Sequence, residues 1–323
     1  MTPWKKTQTL SIGIVTLLMF LPWQTTFAGP LRERISGGGA TNERSEPFED
    51  EAASGEPASL PAHIRIVRDV PYGSDKLQRF DVYSPREAKN APVIFMVQGG
   101  AWFLGDKASR AVVENKVARW APRGFVIVST NYRLLPKADP LEQARDVARA
   151  LATAQDKAAT WGGDRTRFIL MGHSAGAHLV ALLDANPSIA TGIVTIPWLG
   201  AVSLDSAALD VVKIMEAGHA RFYDRAFGRD PAYWRAASPF HAATGAGKPI
   251  LVVCSTRRGD SCSQAGQFVS KASSLGVKAR VLEENFSHKD LNQRLGEEGG
   301  YTDAVEQFLA GLDESIALML KKK

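Results

Sequence analysis

Residues 167–180 read RFILMGHSAGAHLV, an apolar run that leads into a Gly-x-Ser-x-Gly turn and then a helix-like stretch. Small residues on both sides of the serine let the backbone bend sharply between a strand and a helix. The bend lifts the Ser174 hydroxyl out of the sheet, and the start of the helix offers free N–H groups and a positive dipole end. The pattern predicts a nucleophilic serine. The alternative is an ordinary glycine-flanked turn.

Apolar runs of strand length recur along the chain, separated by helical patterns. The predicted strands cover residues 80–83, 92–97, 125–130, 168–171, 192–196, 249–253 and 277–282. A helix is predicted over residues 141–161, where apolar residues recur at helical spacing before Gly162-Gly163. Nearly continuous apolar strands of this kind are typical of an α/β fold with a mostly parallel sheet covered on both faces. Functional residues are expected at the carboxyl ends of the strands.

The N-terminal segment has the composition of an export signal. Lys5 and Lys6 precede a short apolar stretch, and Ala28 is a small residue suited to cleavage. We therefore predict a signal peptide at 1–28, a flexible linker at 29–60 and one domain at 61–318, with a cap insert at about 199–240. The mature protein is expected to be periplasmic or secreted. An uncleaved segment that anchors the chain to a membrane is the alternative.

The charge of the chain argues against a nucleic-acid partner. The formal net charge is +5, and Lys5 and Lys6 contribute two of these charges. Part of the remainder lies in the short tail Lys321-Lys322-Lys323. So short a basic tail is typical of a solvated chain end, and no groove-reading motif accompanies it. Nothing in the sequence indicates the oligomeric state.

The two cysteines, Cys254 and Cys262, are eight positions apart. In an exported protein such a pair favours a disulfide that ties down the intervening loop, and two free thiols are the alternative. A metal site is not expected, because no histidine stands at ligand spacing nearby. We predict no metal and no organic cofactor.

A nucleophilic serine requires a base, and the base requires a carboxylate. Among six histidines, His288 fits best because it follows a late predicted strand on a loop that can reach Ser174. Asp260 lies between the serine and His288 and gives the chain order Ser–Asp–His. Asp205 is also placed before His288 and is the rival; Asp260 is favoured because Arg257 and Arg258 beside it would keep it ionised.

An acyl-transfer site also needs donors for the negative oxygen of its tetrahedral intermediate. The backbone N–H of Ala175, directly after the serine, is one candidate. The loop after the strand at residues 92–97 supplies the others, at Gly99, Gly100 and Ala101. Glycines there let the backbone approach a substrate oxygen closely.

These motifs together resemble those of the α/β-hydrolase esterases, and more narrowly the lipase/esterase and kynurenine formamidase-like branch. The resemblance runs from about Tyr72 to Leu312. It is carried by Gln98-Gly99-Gly100-Ala101-Trp102, Gly105-Asp106-Lys107, Asn131-Tyr132-Arg133-Leu134 and the stretch from Gly172 to His178.

The resemblance implies a triad of Ser174, Asp260 and His288 with an oxyanion loop at Gly99 to Ala101. Gln98 departs from the pattern, because the branch has a histidine at this position. Glutamine can still donate and accept hydrogen bonds that hold the loop. The segment around Asp260 also departs from the usual Gly-x-x-Asp pattern of the acid loop.

The predicted cap insert is rich in aromatic residues. Phe222 and Tyr223 are candidates for lining a substrate pocket, together with Trp102 beside the oxyanion loop. The alternative for each is packing within the protein. The combined prediction is a serine esterase acting on small carboxylic esters. The alternatives are an amidase or arylformamidase with the same groups, and an inactive binding protein that keeps the fold.

Overall fold

The computed structural model describes residue 60 and residues 63–193, 196–206 and 208–321. The predicted signal peptide at 1–28 lies outside the described residues, as does the predicted linker apart from residue 60. Among the described residues, no helix combines the length and the apolar character needed to cross a membrane.

The described residues form an eight-stranded sheet in the order β1-β2-β4-β3-β5-β6-β7-β8. The strands are β1 (Ile64–Pro71), β2 (Arg79–Pro85), β3 (Ala91–Val97), β4 (Val126–Thr130), β5 (Gly163–His173), β6 (Gly200–Leu204), β7 (Ile250–Ser255) and β8 (Ala279–Glu284). The β1–β2 and β2–β4 pairs are antiparallel, and every other neighbouring pair is parallel. The predicted mostly parallel α/β sheet is confirmed.

Helices connect the strands and cover both faces of the sheet. They are α1 (Arg110–Trp120), α2 (Pro140–Lys157), α3 (Ala175–Ala185), α4 (Val211–Glu216), α5 (Arg221–Phe227), α6 (Pro231–Ala236), α7 (Pro239–Ala242), α8 (Ser261–Ser274), α9 (His288–Gln293), α10 (Gly300–Ala310) and α11 (Glu314–Lys321). The α2 helix begins where predicted because Asp139 accepts a hydrogen bond from the Glu142 amide and Pro140 starts the first turn.

The central strand β3 shows why the predicted strands read as continuous apolar runs. All seven of its residues are buried. Ile94 and Met96 belong to the core on one face of the sheet, and Phe95 and Val97 belong to the core on the other. Successive side chains of a strand point to opposite faces, so a strand covered on both faces needs apolar residues at every position.

Two strand predictions need correction. The sequence predicted a strand at 192–196, whereas Gly192 and Ile193 lie in a turn and the strand in this part of the chain is β6. The edge strand β1 was not predicted, because most of its residues are exposed and it carries no continuous apolar run. The predicted cap insert at 199–240 includes β6, which belongs to the sheet; the cap helices α4 to α7 follow it.

The carboxyl ends of the parallel strands meet at one edge of the sheet. The loop from Gln98 follows β3, Ser174 follows β5 and Asp205 follows β6. The loop after β7 contains Arg258, and the loop after β8 leads into α9 at His288. The cap helices join β6 to β7 in the chain, so they also leave from this edge.

Candidate active site

The turn at Ser174 has the sharp geometry that its flanking glycines predict. Ser174 has φ 55° and ψ −118°, a conformation that L-residues rarely adopt. A Cβ on Gly172 would lie 2.4 Å from the Gly176 carbonyl oxygen, and a Cβ on Gly176 would lie 2.3 Å from the Val97 carbonyl oxygen. Glycine is therefore required at both positions by close backbone approach.

Two contacts place Ser174 beside the neighbouring strand and at the start of α3. Its backbone N–H donates to the Leu204 carbonyl at 3.0 Å, and Leu204 directly precedes Asp205. Ala175 is the first residue of α3 and is fully buried. Ser174 is thus tied to the end of β6, directly beside Asp205.

The histidine predicted as the base is held against a carboxylate, but that carboxylate is Asp205. Nδ1 of His288 lies 2.6 Å from Oδ2 of Asp205. Asp260, predicted to fill this role, is exposed at the start of α8, and its side chain makes no capping hydrogen bond. The prediction of Asp260 is corrected to Asp205, the rival considered from the sequence.

Asp205 is fully buried and surrounded by donors. Its Oδ1 accepts from the Ser255 backbone N–H at 3.0 Å and from the Ser261 hydroxyl. Its Oδ2 accepts from Arg258 at 2.8 Å as well as from His288. Burial acts to raise the pKa of Asp205, but the charge of Arg258 and the hydrogen bonds from His288 and Ser261 outweigh it and hold the pKa well below its usual range.

The tautomer of His288 follows from its contact with Asp205. An ionised carboxylate only accepts, so Nδ1 carries the proton and Nε2 is left as the basic nitrogen. Burial, together with the nearby His173 and Arg258, lowers the pKa of His288 below its ordinary value, while Asp205 opposes the shift. The lowered pKa favours the neutral imidazole at pH 7.

His173 contacts His288, which the sequence did not indicate. Its Nε2 lies 2.9 Å from the His288 carbonyl oxygen, and the two ring centroids are 4.4 Å apart. Since His173 is adjacent to Ser174 in the chain, this contact joins the nucleophile turn to the first residue of α9.

The loop after β3 turns back on itself in three consecutive left-handed residues. Gly100, Ala101 and Trp102 have φ values of 106°, 46° and 67°. A Cβ on Gly100 would lie 2.2 Å from the Leu104 carbonyl oxygen, so only glycine fits there. Gly99 precedes this turn. The loop follows β3, whose last residue, Val97, lies against Gly176. The loop predicted to supply oxyanion donors therefore lies at the carboxyl end of β3, beside the strand that leads to Ser174.

Gln98 does not hold this loop through its side chain. Within the described residues, neither polar atom of its buried amide has a hydrogen-bond partner. The Tyr132 hydroxyl instead lies 3.2 Å from the Gln98 carbonyl oxygen and 3.4 Å from that of Gly99. Tyr132 comes from the Asn131-Tyr132-Arg133-Leu134 motif, so the chain uses that motif to fix the loop.

Trp102 is a buried packing residue. It has no exposed surface, and its indole N–H donates to Nδ1 of His178 at 3.1 Å. Nε2 of His178 in turn lies 2.7 Å from the Ala237 carbonyl oxygen, and burial lowers the pKa of His178 to about 4. The ring of Trp102 packs against Phe222, Tyr223 and Phe227 of α5. The structure therefore supports packing, the alternative considered for Trp102.

A cavity of about 520 Å³ opens beside His288. Phe222 and Tyr223 line it, as predicted for a pocket, and so do Ser287 and His288. Its remaining wall comes from α4, from the segment leading into α5, and from the start of α8 with the loop before it. Trp102 is not part of the wall.

Cys254 and Cys262 are joined in a disulfide. The bridge links the end of β7 to the first turn of α8 and encloses the segment that carries Arg258 and Ser261. Both of these residues contact Asp205. Among the described residues, no group of three or more His, Cys, Asp or Glu side chains is arranged to hold a metal ion.

Comparison with known proteins identifies the fold. Residues 80–190 match the family described as BD-FAE. Among solved structures, esterase B from Lactobacillus Rhamnosis superposes with a TM-score of 0.64 at 18% identity, covering 82% of this chain and 88% of that one. A truncated carbohydrate esterase from gut microbiota superposes with a TM-score of 0.62 at 18% identity, covering 85% and 99%. The chain has the α/β-hydrolase fold.

Relatives detected by sequence are also named as esterases. Esterase LipC of Mycobacterium tuberculosis is 32% identical over 212 residues, 60% of this chain and 52% of that protein. A probable isoprenylcysteine alpha-carbonyl methylesterase of Oryza sativa subsp. japonica is 34% identical over 118 residues, 36% of this chain and 28% of that protein. The chain thus spans about half or less of these relatives. They confirm the resemblance to α/β-hydrolase esterases that the sequence motifs carry.

Proposed function

We propose that this α/β-hydrolase cleaves small carboxylic esters with Ser174 as nucleophile, His288 as base and Asp205 as the orienting acid. The observation that carries the proposal is the buried Asp205–His288 pair at 2.6 Å, together with a serine in a strained strand-to-helix turn. The two are linked because the Ser174 N–H donates to the Leu204 carbonyl directly before Asp205, and His173 directly before Ser174 contacts the His288 carbonyl. Strained backbone of this kind persists where the surrounding structure enforces it, which is typical of active sites. The esterase names of the relatives agree with this reaction.

The first half of the reaction forms an acyl-enzyme. Nε2 of His288 takes the proton of the Ser174 hydroxyl while Oγ bonds to the ester carbonyl carbon. The carbonyl oxygen becomes an anion that the N–H of Ala175 and those of the Gly99–Ala101 loop stabilise. The C–O bond to the alcohol then breaks, and the imidazolium gives its proton to the departing alkoxide.

The second half repeats these steps with water. His288 takes a proton from water as the water oxygen bonds to the acyl carbon. The bond from that carbon to Oγ then breaks, the imidazolium returns its proton to Oγ, and the acid leaves. Asp205 stays ionised throughout and stabilises the imidazolium that forms twice. Each of its other donors, Ser255, Ser261 and Arg258, holds the carboxylate in the orientation that His288 requires.

The proposal is tested by replacing the nucleophile. Ser174→Ala should abolish labelling by a fluorescent fluorophosphonate and lower hydrolysis of p-nitrophenyl acetate and butyrate by about 10⁴-fold or more, with the thermal unfolding temperature retained. Ser270→Ala, on an exposed position of α8, is the matched control and should behave like the wild-type protein. Full activity in Ser174→Ala would exclude the mechanism. Absence of labelling in folded wild-type protein would favour an inactive binding protein.

Export is proposed together with this activity. Residues 1–28 have the composition of a signal peptide, and the Cys254–Cys262 disulfide suits an oxidising compartment. Expression of the full chain in a Gram-negative host should give a periplasmic protein whose mass corresponds to cleavage after Ala28. Recovery of the full-length mass from the cytoplasm would contradict export.

A further inference from the structure

The cavity beside His288 has a wall that is rich in cations. Lys213 of α4 and Arg257 of the loop after β7 line it, both on exposed positions. Neither side chain forms an ion pair with any residue that the structure describes. Among the described residues, the Arg257 guanidinium donates only to the neutral amide of Asn285, at 3.0 Å. These two charges are therefore available to a ligand in the cavity.

Two further basic groups of the wall are already engaged. Arg258 pairs with the buried Asp205 and contacts His288. His219 contacts the Ala217 carbonyl and Asp224, and these two partners raise its pKa above the ordinary value. Because each of them faces a carboxylate, they do not supply an open charge.

Asp260 is the one carboxylate that lines the cavity among the residues described, and it is exposed. Asp205 lies buried behind Arg258 and uses both of its oxygens on Ser255, Ser261, Arg258 and His288. The wall thus carries more open positive than negative charge, and an apolar side formed by Phe222 and Tyr223 faces the same space.

The chemistry of the proposed reaction identifies which part of a substrate would enter this cavity. His288 must give its proton to the departing alcohol oxygen, so the alcohol portion lies on the imidazole side of the ester carbon. The oxyanion loop lies on the other side of the nucleophile, at the end of β3. Because Ser287 and His288 form part of the cavity wall, the cavity lies on the imidazole side of the site.

We propose that the cavity binds the alcohol portion of an ester that carries a carboxylate, with Lys213 and Arg257 as its partners. The inference rests on the proposed esterase function and names its substrate class. A planar guanidinium matches the two oxygens of a carboxylate, and the ammonium of Lys213 adds a point charge. The rings of Phe222 and Tyr223 contact the carbon skeleton between the ester and the carboxylate.

The experiment compares two acetate esters of nearly the same shape. 4-Acetoxybenzoate carries the carboxylate on its alcohol portion, and 4-acetoxybenzamide replaces it with a neutral amide. The kcat/KM values for release of the phenol are each divided by the rate of alkaline hydrolysis of the same ester. For the wild-type protein the carboxylate ester should be favoured about tenfold, and the preference should shrink at high salt because the two cations are exposed.

The variants test whether the two cations cause the preference. Lys213→Gln combined with Arg257→Gln should lower the ratio of the two kcat/KM values about fivefold. Lys278→Gln is the matched control, since Lys278 is exposed directly before β8, at the opposite end of that strand. This control should keep the wild-type ratio.

The outcomes separate this inference from the esterase function. Hydrolysis of both esters without preference for the carboxylate, or a ratio unchanged in the double variant, overturns the inference and leaves the esterase intact. If folded wild-type protein hydrolyses neither of these esters nor p-nitrophenyl acetate, the esterase function fails and the inference falls with it.

Discussion

The two halves of the candidate site are built in different ways. The nucleophile side, formed by Ser174 and the Gly99–Trp102 loop, is shaped by backbone contacts: glycine is required at three positions where a Cβ would meet a carbonyl oxygen. The acid–base side, formed by Asp205, Arg258 and His288, is held by side-chain hydrogen bonds between three loops. A sharp backbone turn requires particular residues at adjacent positions, so it can be recognised as a short motif in the sequence. The side-chain network instead joins residues that are 83 positions apart in the chain.

The largest expected effect separates the two candidate acids. Asp205→Asn should lower kcat/KM for p-nitrophenyl acetate by about 10⁴-fold, because an amide cannot hold His288 in the tautomer that leaves Nε2 basic. Asp260→Asn should change it less than about twofold, because its exposed side chain makes no capping hydrogen bond. The reverse ranking would show that the acid–base side rearranges before reaction.

A second comparison concerns the glycines of the two halves. Gly176→Ala should destabilise the protein by about 3 kcal/mol and lower kcat, because the new Cβ would lie 2.3 Å from the Val97 carbonyl oxygen. Gly266 of α8, next to the acid–base side, has no atom within 4 Å of an added Cβ. Gly266→Ala should therefore stabilise the protein by about 0.5–1 kcal/mol. Urea unfolding of both variants measures the change in the free energy of unfolding. Equal changes in the two variants would contradict the tight packing of the turn on β3.

The acid shows how far the sequence could predict this site. The apolar run at 192–196 resembles a strand more than β6 does, since Gly200 and Ser203 interrupt the apolar pattern of β6. Placing the strand too early put Asp205 nine positions after the predicted strand instead of directly after β6, which weakened its case against Asp260. Asp260 was favoured for its arginine neighbours, yet Arg258 turns toward Asp205. The order of elements was predictable, but the contact between loops was not.

The fold itself was more accessible to sequence reasoning. Strands buried on both faces, such as β3 and β5, require apolar residues at successive positions, so their patterns are unambiguous. Most residues of the edge strand β1 are exposed, so it does not need apolar residues at successive positions and was not predicted. The support that Tyr132 gives the oxyanion loop depends on a hydroxyl meeting a backbone carbonyl across the fold, which no periodic pattern encodes.

The pH dependence of the reaction reports on the acid–base side alone. The base must be neutral, so kcat/KM should fall as pH drops through the pKa of His288, which burial, His173 and Arg258 hold below its ordinary value. Arg258→Gln removes a positive neighbour and so favours the charged imidazolium. The acid limb of kcat/KM should therefore move to higher pH in this variant. An unchanged or lower midpoint would show that Arg258 does not act on His288.

The smallest expected effect lies on the nucleophile side. It compares the side-chain amide of Gln98 with the hydroxyl of Tyr132. Gln98→Leu removes a buried amide that has no partner among the described residues, so stability should stay level or rise by about 1 kcal/mol and kcat should change less than about twofold. Tyr132→Phe removes the hydroxyl that reaches the Gln98 and Gly99 carbonyls, and kcat should fall about fivefold with a smaller change in KM. If Gln98→Leu were the more damaging change, the loop would depend on its amide after all, and the nucleophile side would share the side-chain construction of the acid–base side.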